Sequence, residues 1–140
     1  MGVPLGYRED MTHVSTTDLD RVLASLDPQP SGTYVFSLVD EIPQGVDFFA
    51  VIRDEDGYTV VVEQEIAREA GINADELYTR IDLGSSTELA AIGITASIAQ
   101  ILAARSITAN FIACRRHDHL FVQPDRAQEA SALLEDLGRR

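Results

Sequence analysis

Tryptophan and lysine are absent from this 140-residue sequence, and cysteine occurs once. With aromatics at 6%, any core must be built mainly from aliphatic side chains. All eleven basic residues are arginine; either basic side chain serves on a solvated surface, so this bias reads as coding preference. The single Cys114 excludes an intrachain disulfide and any multi-cysteine metal site, and its place in an apolar run predicts a buried small residue. Long hydrophobic runs are missing too. The longest uncharged stretch, Leu89 to Ala104, is shorter than the ~20 residues of a membrane span and carries Thr95, Ser97 and Gln100. Positive charge is scarce: the formal net charge is −12, which repels phosphate backbones and anionic lipid, so neither nucleic acid nor membrane is an expected partner. No basic segment followed by an apolar core opens the sequence, and a cytoplasmic location is expected. No nucleophile elbow, glycine-rich phosphate loop or HExxH occurs, so no enzyme and no cofactor are expected.

What is present reads in order as follows. Met1 to Val14 has no period and forms a tail. Ser15-Thr16-Thr17 caps a short helix whose apolar face is Leu19, Val22, Leu23 and Leu26. Asp27 to Gly32 is a turn. Thr33 to Val39, Asp47 to Arg53 and Tyr58 to Val62 are strands, the last two joined by the tight turn Asp54-Glu55-Asp56-Gly57. Gln64 to Ala70 is a short helix closed by Gly71.

The second half opens with a strand at Leu77 to Leu83, turns at Gly84-Ser85-Ser86, and continues as a long helix from Thr87 to about Arg105. Ser85 and Glu88 fit a capping box. This helix is apolar on more than one face, which predicts burial against a second unit. Strands at Ala109 to Arg115 and His119 to Gln123 follow, and then a closing amphipathic helix from Asp125 to Leu137. The order β-α-β-β-α predicts an α+β protein, with antiparallel sheet and helices packed on one face.

The order from Leu77 resembles an ACT domain, the small ferredoxin-like regulatory fold. Gly32-Thr33-Tyr34-Val35-Phe36 with the Phe49 to Val62 hairpin is similar to the N-terminal half of a group of bacterial ACT-domain proteins of uncharacterised function. The runs Ser85 to Thr95, Ile107 to Ala113 and His117 to Val122 resemble the same group, so the match extends over Leu19 to Leu137. Ser106 stands where the group usually has a glycine, which puts the shape of that turn in question. Arg115-Arg116 replaces a commonly aromatic pair. The resemblance implies a tail at 1–14, a degenerate ACT-like half at 15–76 and an ACT domain at 77–140. It further implies a sensor or regulatory module for an amino acid or similar metabolite, working as a homodimer or higher homo-oligomer.

By the same resemblance the ligand would meet Gly84, Ser85, Ser86, Thr87 and Glu88, with Gly93 on the helix and Asn110 on a facing strand. A helix N-terminus suits a carboxylate, yet the same residues also explain themselves as a cap. The site would then be vestigial and the chain a structural or protein-interaction module. His117, Asp118 and His119 form a second polar cluster. Its ligand count is too low for a metal, which leaves a polar hairpin turn or a ligand-facing role.

Overall fold

The β-branched and aromatic runs of the sequence become strands of a single sheet in the computed structural model, which describes residue 21 and residues 23–84 and 88–138; the side chains of residues 88–92 and 138 lie outside the description. The expected tail and most of the Ser15 to Leu26 helix fall outside the described residues. Its end is visible: Leu23 is buried, and Leu26 packs beside it.

The first half supplies β1 (Gln29–Val39), β2 (Ala50–Asp54), β3 (Gly57–Glu63) and helix α1 (Gln64–Ala70). The second supplies β4 (Leu77–Asp82), α2 (Glu88–Ala104), β5 (Ala109–Ala113), β6 (Asp118–Val122), a 3-10 turn (Pro124–Arg126) and α3 (Ala127–Gly138). All six strands form one antiparallel sheet in the order β2-β3-β1-β4-β6-β5. β4 is therefore paired along both edges, with β1 of the first half and β6 of the second.

β1 begins four residues earlier than the sequence suggests. Gln29 and Pro30 pair with Asp82 and Ile81, and a bulge then shifts the register before Thr33. Proline is tolerated there because the β3 ladder reaches no further than Tyr34, so no donor is needed on that side. β2 is shorter than expected. The preceding residues 40–49 form a connection that carries the chain back to the start of β2, with Val46 and Phe48 packed beside Val35, Val60 and Val62.

Strand alternation splits the side chains between two faces. The helix-covered face is mainly aliphatic, with Phe48 and Phe111 at its margins. Ile81, Leu83, Leu120 and Val122 meet Ile94, Ile98 and Leu102 of α2 and Ala130, Leu134 and Leu137 of α3; Val35, Val60 and Val62 meet Ala67 near α1. The opposite face carries no helix among the described residues and is aromatic, built from Tyr34, Phe36, Phe49, Tyr78 and Phe121.

Helix α2 is buried along one stripe, Ile94, Ile98 and Leu102. Thr95, Ala96, Gln100, Ala103 and Ala104 are exposed. The apolar surplus read in the sequence is thus mostly alanine on an outward face, which the described residues leave uncovered. Cys114 departs from expectation: it is exposed. β5 is an edge strand that stops at Ala113, so Cys114 falls in the hairpin turn, where its N–H donates to His117 O at 3.0 Å.

The Ser106 turn forms as a glycine would have it. Ser106 adopts φ 57°, its N–H donates to Ala103 O, and the Ile107 N–H donates to Leu102 O. Buried Ile107 then packs in the same cluster as Leu102, completing a Schellman closure. A serine in the left-handed region carries a conformational cost of ~1–2 kcal/mol that glycine avoids. Ser106→Gly should therefore stabilise the protein by about 1 kcal/mol, seen as a higher urea midpoint. An unchanged or lower midpoint would show that the serine side chain offsets its own strain.

Candidate functional site

Strand β4 delivers Tyr78, Arg80 and Asp82 to the helix-free face, because alternate residues of a strand share a side. β6 delivers His119 and Phe121 to the same face: Arg80 pairs with Phe121 and Asp82 with His119 across the ladder. The loop after β4 then brings the two predicted polar groups together. The Asp118 N–H reaches Gly84 O at 3.5 Å, and the Leu83 N–H donates to Asp118 O at 3.0 Å. The carboxylate of Asp82 accepts from the Gly84 N–H at 2.8 Å and lies 3.2 Å from His117 Nδ1.

Gly84 has φ 83°, and a Cβ built on it would meet nothing within 4 Å. The turn therefore selects glycine for its backbone conformation, and among the described residues nothing fills the space a Cβ would enter. The Asp82 carboxyl is pushed up by partial burial, but its bond from Gly84 and its neighbours His117 and His119 outweigh this and hold it below the usual carboxylate value.

Arg80 organises the cluster. Its guanidinium lies 5.3 Å from the ring centroids of both Tyr34 and Phe49 and places Nη1 3.0 Å from His119 Nδ1. Since arginine only donates, Nδ1 is the acceptor and the proton of His119 sits on Nε2. Phe49 stands edge-on to His119 at 5.0 Å, and the rings of His117 and His119 stack at 6.4 Å. Burial of His119, followed by the adjacent Arg80 charge, lowers its pKa. The Nε of Arg80 is buried with no hydrogen-bond partner among the described residues.

Of the ligand residues expected from the resemblance, Gly84 is placed at the mouth of this cluster. Ser85, Ser86 and Thr87 lie outside the described residues, as does the side chain of Glu88, whose backbone opens α2. Gly93 is half-buried on α2. Asn110 lies on β5 opposite Phe121, and its side chain acts on Tyr78, so it belongs to the aromatic face and not to the Gly84 loop. Among the described residues, no group of three or more His, Cys, Asp or Glu is gathered to hold a metal. Sequence reasoning missed Arg80 and Asp82. The available signal was the polar alternation Tyr78-Arg80-Asp82 beside His117-Asp118-His119.

Two sequence profiles of the ACT domain match the chain, one over residues 15–79 and the other over 73–136. Their overlap falls on β4 and its approach. A Vibrio cholerae protein of unknown function, described as a possible transport protein, is 36% identical; the match covers 87% of this chain and 97% of that one, with a TM-score of 0.76. A protein from Agrobacterium tumefaciens is 18% identical over 81% of this chain and 89% of its own, at a TM-score of 0.65. The regulatory subunit of aspartate kinase from Thermus flavus shares the fold, at 10% identity, 80% and 95% coverage and a TM-score of 0.57. No curated protein matches. No helix among the described residues is long and apolar enough to cross a membrane.

The cluster sets the acid response. In the folded chain His119 resists protonation, facing Arg80, Asp82, His117, Asp118 and the Phe49 ring. Unfolded, it takes a proton near 6.5. The unfolded state then binds more protons, so stability is full above about pH 6.5 and falls as pH drops below it. Asp82, also lowered, adds a second loss as pH falls through the ordinary carboxylate value. The melting temperature should drop between pH 7.5 and 5.5, and His119→Gln, which keeps an acceptor for Arg80, should flatten that drop. An equally steep drop in the variant would assign the response to other groups.

Proposed function

The chain belongs to the ACT-domain family, and from that premise we propose that it is a regulatory module that holds an amino acid or similar small metabolite at the start of α2. The observation that carries this reading is the Gly84 turn. Its backbone is fixed by Asp82 and Asp118, no described residue fills the space over Gly84, and α2 begins four residues later. Free N–H groups at a helix start attract a carboxylate, and Asp82 offers a negative charge suited to an ammonium. A zwitterion meets both demands with one backbone-sized group. Ser85, Ser86, Thr87 and Glu88 complete the proposed site along the loop, with Gly93 allowing close approach on the helix.

The likeness in fold to a regulatory subunit of aspartate kinase supports a regulatory and non-catalytic role. We divide the chain into residues 15–76 and 77–140 after a tail at 1–14, with β4 serving both halves. The uncovered alanine face of α2 and the free edges of β2 and β5 support self-association as the mode of action. Ligand capture would then shift the balance between assembly states. We place the protein in the cytoplasm.

A thermal-shift screen with the twenty amino acids tests the reading. A ligand that binds only the native state adds ~2.7 kcal/mol at a hundredfold excess over its Kd, so one or a few amino acids should raise the melting temperature by several degrees. Ser86→Arg should abolish that response and leave the ligand-free melting temperature unchanged. If no amino acid moves the transition, the chain is an interaction module with a vestigial site. A response that survives Ser86→Arg places the ligand elsewhere.

A further inference from the structure

A cleft of about 280 Å³ opens in the first half, away from the Gly84 turn, and is lined by Tyr34, Asp47, Phe48, Phe49, Glu63 and Ile66. Its chemistry is one-sided: three aromatic rings, two carboxylates, one aliphatic side chain and no basic group. Glu63 stands at the N-cap of α1, but its side chain makes no cap bond. Neither carboxylate has a hydrogen-bond or ion-pair partner among the described residues. The surrounding stretch, residues 40–69, carries nine acids against two arginines, and one of those arginines, Arg68, is already paired with Glu65. The local field is therefore strongly negative.

We propose that this cleft is a binding site for a small organic cation, an alkylammonium or alkylguanidinium group of amino-acid side-chain size. The aromatic rings would cover the alkyl stem while Asp47 and Glu63 hold the charged head. The volume is just below the range of ordinary small-molecule pockets, which limits the occupant to a side-chain-sized group. Arg80 already lies against Tyr34 and Phe49, so the rings alone would not attract a second cation; the two carboxylates supply the excess negative charge. The same rings tie the cleft to the polar cluster. Phe49 touches His119 edge-on at 5.0 Å, so an occupant that moves Phe49 changes the surroundings of His119.

The test is an NMR titration of the full chain with n-butylammonium and n-butylguanidinium, with butyrate and matched sodium chloride as controls. Saturable shifts at Tyr34, Phe49 and His119 are expected for the cations and for neither control. The double variant Asp47→Asn, Glu63→Gln, first shown to melt with the parent, should weaken binding at least about tenfold, since two charge-assisted contacts are removed. Shifts that fail to saturate, that sodium reproduces, or that the double variant leaves intact would overturn the proposal. Ser86→Arg should leave the cation response unchanged, which separates this site from the one at the Gly84 turn.

Discussion

Strand β4 is hydrogen-bonded along both edges, and the architecture rests on that double pairing. Five of its six residues pair with β1 on one side and four pair with β6 on the other, so two β-sheets that could have remained separate become one. The pairing also fixes which residues face which way. Ile81 points into the aliphatic core between α2 and α3. Tyr78, Arg80 and Asp82 point to the opposite face, where the cross-strand partners of Arg80 and Asp82, Phe121 and His119, already lie. A slip of one residue would bury the guanidinium and the carboxylate under the helices and expose Ile81. The polar cluster and the core are thus set by one register.

Five of the nine aromatics gather on one sheet face. Tyr34, Phe36, Phe49, Tyr78 and Phe121 form edge-to-face contacts at 4.8 to 5.7 Å, and Phe121 and Val61 are fully buried beneath them. Large rings can shield one another on a sheet face that lacks a helix, which aliphatic side chains do less well. Phe49 matters most, because it comes from the connection before an edge strand yet reaches β6. It lies between the cleft at Asp47 and Glu63 and the imidazole of His119.

The order of elements was legible in the sequence because its punctuation is strong. Gly71 ends α1, the Asp54 to Gly57 turn joins β2 to β3, and the β-branched run Thr59 to Val62 marks β3. The early start of β1 was not legible, because proline normally argues against a strand and only the partner strand reveals that no donor is required at Pro30. Cys114 was misjudged because an apolar neighbourhood in sequence does not say where an edge strand stops. The Gly84 loop was visible as a glycine followed by a cap pattern. Arg80 and Asp82 were not, since alternating polar residues in a strand normally signal a solvated face. Only the ladder to β6 shows that they meet His119 and the turn before it.

The shared strand also has a bearing on aggregation. Without β4 the first half would keep three strands and expose the long backbone edge of β1. The second half cut loose would present the other edge of β4 to any passing chain. Each half shields the other's bonding edge, so removing either would leave an open strand edge able to pair with another chain.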